Sequence, residues 1–176
     1  VYVDDNGYVF AGGSFTVAGS TSASRIARWD GFNWSALGAG VGGSSPLVLA
    51  LMGDGAGNIY AGGTFTTAGG VTVNRVAKWN GTSWSVLGSG MGGNVLTLEW
   101  LDGSLFAAGA FTTADGVVAN RVAEWSGTDW YALGSGMNAN VSALTFDEYG
   151  NLIAAGAFTQ AGGKQTAPLA RLLLVD

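Results

Sequence analysis

Carboxylates, arginines and tryptophans are the side chains of this 176-residue chain that could do chemistry, because histidine and cysteine are both absent. Without histidine the usual neutral-pH acid/base, the commonest metal ligand and the serine triad are all missing. Without cysteine there are no disulfides, thiol nucleophiles or Cys-based zinc sites. Asp4, Asp5, Asp54, Asp102, Asp147 and Glu148 remain, and they could serve as calcium ligands or as a glycosidase pair. All of them fall between the first and second strands of a repeated unit, where aspartate is an ordinary turn former, and no EF-hand-like ligand spacing accompanies them. The sequence therefore predicts turn-forming roles, with no catalytic residue, no metal and no cofactor. Arg25, Arg75 and Arg121 invite comparison with the arginine cluster of a sialidase, but each recurs at the same place in its unit. A side chain repeated in this way is expected to bond loop carbonyls or a nearby carboxylate in every copy.

Exposed tryptophan often forms a sugar platform, and the chain has seven tryptophans. Six of them, Trp29, Trp34, Trp79, Trp84, Trp125 and Trp130, sit at repeat positions. Packing between repeats is the expected role. Trp100 takes the place of Phe146 in the next copy and is expected to be buried as well.

The unit that positions these residues is clearest from Asn58 to Gly93. Phe15, Phe65, Phe111 and Phe158 each close a strand of small residues, and ten residues on stand Arg25, Arg75, Arg121 and Pro168. Nine beyond each arginine comes Trp34, Trp84 or Trp130. The next strand opens at Val48, Val95 or Val141, at 14, 11 and 11 residues from the tryptophan. The extra three residues are one insertion around Ser44, Ser45 and Pro46. Constant spacing within the unit, with slippage only in the joints, marks four copies of one supersecondary piece, at about 1–37, 47–87, 94–133 and 140–176.

A chain that is 48% hydrophobic can bury a core. Its net charge is −5 with no Lys/Arg cluster, which argues against nucleic acid and anionic membrane surfaces. No apolar run approaches a membrane span, so membrane insertion is not expected. The chain starts at Val1, within a unit, and is read as a processed or excised piece of a longer product.

Within the first unit, Val1 to Val3 ends an inner strand and Asp4-Asp5-Asn6-Gly7 forms a hairpin turn. Strands are predicted at Tyr8 to Phe15, about Ser24 to Asp30, and Trp34 to Leu37, with the next unit entering at Leu47 to Met52. About fifteen strands result over the whole chain. Residues 48–52 and 95–101 are apolar on both alternating faces, which suits sheets stacked face to face rather than a sheet with one wet side. The triplets Ala61-Gly62-Gly63, Ala107-Ala108-Gly109 and Ala154-Ala155-Gly156 leave room for a close neighbour. No helical stripe is present. The fold class is all-β: a β-propeller of four-stranded antiparallel blades, about three and a half of them in this chain.

Two motifs carry a resemblance to known repeats. Asn58-Ile59-Tyr60-Ala61-Gly62-Gly63 followed by Trp79 and Trp84 resembles the kelch repeat. The whole chain is similar to the FT-x-AGG…RVA-x-W-x-G…W-x-x-LGSGM repeats of large secreted or surface-attached β-propeller proteins of microbes. The third copy has Ala-Gly in place of Gly-Gly, and tryptophan stands where kelch repeats usually carry tyrosine. Kelch-type oxidases hold copper partly through histidines, so that activity does not carry over to this chain.

Positions shared by all copies hold the architecture, and positions that vary on one face are where binding would be tuned. The long connections after the second and fourth strands, residues 16–24, 38–47, 66–74, 88–94, 112–120, 134–140 and 159–167, are expected to emerge together. Within them Ser44, Ser45, Asp115, Asn138, Lys164 and Gln165 depart from the consensus and are the candidate interaction residues. Asn33, Asn80 and Asn140 head glycosylation sequons.

A closed propeller needs roughly four to eight blades. Two chains completing a ring of seven or eight, further blades on another fragment, or a strained four-bladed monomer are the options. The expected role is a non-enzymatic extracellular or cell-surface module for adhesion, scaffolding or protein interaction, presenting a protein or glycan ligand site on the loop face. The alternatives are a lectin-like carbohydrate-binding propeller and a non-catalytic part of a polysaccharide-degrading enzyme.

Overall fold

A computed structural model describes residues 1–172. The tail Leu173–Asp176, expected to extend the third strand of the last copy, lies outside the described residues. No helix occurs among the described residues. The first blade orders its strands as Tyr2–Val3, Val9–Gly12, Ile26–Trp29 and Trp34–Ala36, each antiparallel to the next. The second uses Val48–Gly53, Ile59–Gly63, Val76–Trp79 and Trp84–Ser85 in the same order. The third uses Val95–Leu101, Ser104–Gly109, Val122–Trp125 and Trp130–Ala132. Among the described residues the fourth has three strands, Val141–Phe146, Leu152–Gly156 and Leu169–Leu172.

The turns explain why the meander repeats. Asp4, Asp54 and Asp147 each accept backbone N–H groups from two and four residues ahead at 2.8–3.1 Å, closing the first hairpin of their blades. The side chain of Asn151 further holds the Asp147 carboxyl below the usual carboxylate range. Asp30 and Asn80 do the same work in the turn after the third strand, accepting from residues two and three ahead. These side chains act as turn formers, through the geometry that favours Asp and Asn in such loops.

Two expectations about strands are corrected. The third strand starts at Ile26, Val76 or Val122 rather than near residue 24, because Arg25, Arg75 and Arg121 adopt left-handed φ values of 66°, 64° and 70° and break the extended run. The connection after the second strand is not an open loop but a hairpin of its own, with two-residue arms: Val17–Ala18 with Thr21–Ser22, Thr67–Ala68 with Val71–Thr72, Thr113–Ala114 with Val117–Val118, and Gln160–Ala161 with Lys164–Gln165. Gly69-Gly70 and Asp115-Gly116 supply two successive positive φ values, as the tightest hairpin turn requires. The strand count is therefore higher than fifteen.

The core is a series of interfaces between neighbouring blades. Phe10 and Ile26 of the first blade pack on Leu51, Ile59, Ala61 and Trp84 of the second. Tyr60 and Val76 of the second pack on Leu98, Leu105, Ala107 and Trp130 of the third, and Phe106 and Val122 of the third pack on Leu144, Leu152 and Ala154 of the fourth. Phe65, Phe111 and Phe158 are fully buried, one per interface. Among the described residues no hydrophobic cluster joins the first blade to the fourth.

The tryptophan pairs repeat closely. Trp29 with Trp34, Trp79 with Trp84, and Trp125 with Trp130 have centroids 5.5, 5.5 and 5.4 Å apart and interplanar angles of 49°, 52° and 51°. Trp84 and Trp130 are buried and their indole N–H groups cross to the preceding blade, donating to the Leu37 carbonyl at 2.8 Å and to the Leu87 carbonyl at 3.0 Å. Trp34, in the first described blade, is half-buried. Trp100 is also half-buried and stacks on Tyr60 at 5.3 Å. Burial, followed by the neighbouring Asp54 carboxylate, pushes the Tyr60 hydroxyl up to about 12.

Candidate functional site

Backbone hydrogen bonds bring the connections after the second and fourth strands to one side of the row of blades. The segment Val41–Gly42, leaving the first blade, pairs antiparallel with Thr67–Ala68 in the hairpin of the second. Met91 bridges to Ala114, and Met137 to Ala161, in the same way. Each connection is also tied to its own blade, through Val41 N–H to the Ser24 carbonyl (3.1 Å), Met91 N–H to that of Asn74 (2.9 Å) and Met137 N–H to that of Asn120 (3.1 Å). The face is thus a row of short hairpins, the second to the fourth each stitched to the blade before it.

Of the recurring arginines, Arg75 and Arg121 belong to this stitching, whereas no such bond is seen for Arg25 among the described residues. Arg75 donates from Nη1 to the Met91 carbonyl at 3.0 Å, and Arg121 donates to the Phe111 carbonyl at 3.4 Å. Both bond loop carbonyls, and neither forms an ion pair among the described residues. Also among the described residues, no three Asp or Glu side chains gather as a metal cluster would.

The six candidate residues divide into two kinds. Asp115 and Asn138 work within the protein. Asp115 takes the second-blade connection in hand, accepting the Ser89 N–H at 2.6 Å, and this backbone donor holds its carboxyl below the usual carboxylate range. Asn138 Oδ1 accepts the N–H groups of Thr159 (2.9 Å) and Gln160 (3.0 Å), while its Nδ2 donates to Thr159 Oγ1 at 3.0 Å. Ser45 lies between the kinds: it is exposed with φ 53°, and its carbonyl accepts the Thr64 hydroxyl at 2.9 Å, which pins the inserted residues. Ser44, Lys164 and Gln165 are exposed. The structure does not gather the six into one pocket. They are distributed over the first connection, the third-blade hairpin, the third connection and the fourth-blade hairpin.

Depression of the Asp115 pKa gives a pH prediction whose sign is fixed. A carboxylate with a folded-state pKa below its unfolded value stabilises the fold above the unfolded pKa, and the contribution disappears as pH falls through the folded value. Asp115→Asn is expected to lower the melting temperature at pH 7. The gap between variant and parent should close as pH is brought below the ordinary aspartate range. Thermal melts at a series of pH values check this, and a gap that widens in acid would contradict it.

A cleft of about 470 Å³ opens on the same face between the third and fourth blades, lined by Asn120, Arg121, Ser135, Asn138 and Gln160 among others. Amide, hydroxyl and guanidinium groups dominate these walls, so it suits a polar ligand rather than a greasy one. Gln160 escaped the sequence reading although it departs from the repeat, standing where the second and third copies carry Thr67 and Thr113. Asn120 and Arg121 could not have been found by that rule, since Asn74 and Arg75 match them. Exposed apolar side chains mark the hairpins themselves: Val17 is 54% exposed, Val117 65% and Val118 67%.

A family model described as "Domain of unknown function (DUF5122) beta-propeller" matches residues 57–82 and 101–124. These segments cover the second and third strands of the second blade and those of the third blade as far as Glu124, including the intervening hairpins. No curated protein matches the chain. The helix-free described chain, its repeated antiparallel four-stranded sheets and this family match together make it an all-β protein of β-propeller architecture.

Proposed function

We propose that this propeller segment is a non-enzymatic module, working outside the cell or at its surface, that binds a macromolecular partner through its hairpin face in adhesion or scaffolding. The observation that carries the reading is the exposed apolar pair Val117 and Val118 on an arm held rigid at both ends. Thr113 and Ala114 pair with it inside the hairpin, and Asp115 ties the turn to the preceding connection. Apolar side chains on a rigid scaffold present contact area at low entropic cost, which is what a protein-binding surface needs. Resemblance to kelch-like repeats of secreted and surface-attached proteins supports the location. Exposure of Asn33, Asn80 and Asn140 is compatible with glycosylation there.

The test is solid-phase binding of the chain to a panel of extracellular matrix proteins, compared with a Val117→Asp/Val118→Asp double variant. Both side chains are exposed, so the variant should melt as the parent does while binding weakens by about tenfold or more. Undiminished binding by the variant would remove the hairpin face from the reading. The polar cleft beside Asn138 and Gln160 favours one second reading, a lectin-like module for glycans. Sugar-inhibitable signal on a glycan array, lost in Gln160→Ala but kept in the valine double variant, would select it.

A further inference from the structure

Two facing positions set the joint between the third and fourth blades apart from the two before it. Where a connection meets the next hairpin, the earlier joints place glycine against threonine, Gly42 with Thr67 and Gly92 with Thr113. The fit is close, since a Cβ on Gly42 would stand 2.7 Å from the Thr67 hydroxyl, and Gly92 faces Thr113 Oγ1 in the same way. At the third joint both residues have changed together, to Asn138 and Gln160, whose main chains keep the pairing through Asn138 N–H to the Gln160 carbonyl at 3.3 Å.

The arginine changes its bond as well. Arg75 reaches across to the Met91 carbonyl of its connection at 3.0 Å. Among the described residues Arg121 makes no bond to the corresponding Met137 carbonyl, and it leans at 3.4 Å on the Phe111 carbonyl of its own blade. Most of the five donors of its guanidinium are therefore unused. The cleft of about 470 Å³ opens at this place, and all its walls come from residues between 112 and 163. Arg121 is the one charged side chain among them, and no aromatic ring lines the cleft. The hydroxyls of Thr112 and Ser135 and the amide of Gln160 form no side-chain hydrogen bond among the described residues, whereas Asn138 is engaged in holding the hairpin.

We propose that this cleft binds an acidic saccharide, a uronate, with the sugar carboxylate on the Arg121 guanidinium and ring hydroxyls on Gln160, Ser135 and Thr112. The inference rests on the glycan reading of the same cleft and names the class of sugar. A guanidinium offers paired N–H groups in one plane, which match the two oxygens of a carboxylate. With no ring face to stack on, charge and hydrogen bonding must supply the recognition. Lys164, exposed on the hairpin that carries Gln160, adds a second positive charge to that hairpin and favours the approach of an anion.

The test is a titration of the isotope-labelled 176-residue chain with sodium D-glucuronate, D-glucose and sodium acetate, read from backbone amide shifts in NMR spectra. Glucuronate should saturate the shifts of residues 120–121, 135–138 and 160, bind about tenfold or more tightly than glucose or acetate, and weaken as salt is raised. Gln160→Glu keeps the shape of the side chain and sets a like charge in the cleft, so it should weaken glucuronate by about tenfold or more and leave glucose unchanged, while Gln160→Lys should tighten glucuronate. Arg121→Gln should bring the two sugars level. Because Arg121 also serves its blade, the two Gln160 variants decide the matter if that variant does not fold. Equal binding of glucose and glucuronate would overturn the acidic-sugar proposal and leave the glycan reading standing, whereas silence toward both sugars would remove the two together. Acetate as tight as glucuronate, or glucuronate undiminished in Gln160→Glu, would also overturn the proposal.

Discussion

Trp130→Ala is expected to destabilise the protein by about 3–5 kcal/mol, the range for removing a large aromatic side chain from a packed core. Trp130 is 6% exposed, joins the cluster between the second and third blades, and spends its only polar hydrogen on the Leu87 carbonyl. Truncation leaves a cavity between blades and returns the Leu87 carbonyl to a single donor. Trp130→Phe separates the two effects: it keeps much of the packing and loses the hydrogen bond, for an added loss of about 1 kcal/mol. The decisive comparison is Trp34→Ala, the same position of the repeat in the first described blade. Trp34 is only half-buried, so its loss should cost roughly 1–2 kcal/mol. Urea denaturation of the three variants measures this order. Equal costs at Trp34 and Trp130 would mean that the indole stabilises its own blade rather than the joint.

The second large effect is a single added methyl group. In Gly109→Ala the new Cβ would fall on the Asn94 carbonyl oxygen and press on the Leu96 backbone nitrogen at 2.9 Å, and both are main-chain atoms that cannot swing aside. Gly63 faces the Leu47 carbonyl and Gly156 the Asn140 carbonyl in the same manner. Overpacking against backbone should cost about 3 kcal/mol. Gly13 is the matched control. It occupies the same place in the first copy, but its nearest neighbour would be Phe15 Cδ1 at 3.4 Å, an ordinary contact. Gly13→Ala should therefore be neutral, or stabilising by about 0.5 kcal/mol through the unfolded chain. Thermal or urea melts of the pair read the contrast directly, and similar losses at both sites would refute the steric account.

The blades were legible because the spacing of Phe, Arg and Trp is rigid and the alternation of apolar residues is short-ranged. The turn roles of Asp4, Asp54 and Asp147 were legible for the same reason, since an Asx turn needs only local chain. The hairpins in the connections were less visible. Gly69-Gly70 and Asp115-Gly116 are strong turn signals, but arms of two residues such as Thr67–Ala68 are too short to show a period. Their partners, Val41 and Met91, are supplied by the preceding blade, and such pairings over a distance leave no mark on a single window. The candidate residues show the limit of reading variation as function. Asp115 breaks the consensus because it bonds Ser89, and Asn138 because it bonds Thr159 and Gln160. A position differs between copies for a reason of local anatomy as readily as for a ligand, and only the folded structure separates the two.

Every indole that crosses a joint points toward the N-terminal neighbour, and every carbonyl that receives it belongs to the blade before. The described row of blades therefore has a sense of rotation, like a ratchet: at each of these joints the earlier blade gives a carbonyl and the later one an indole, so the joint is head-to-tail rather than self-complementary.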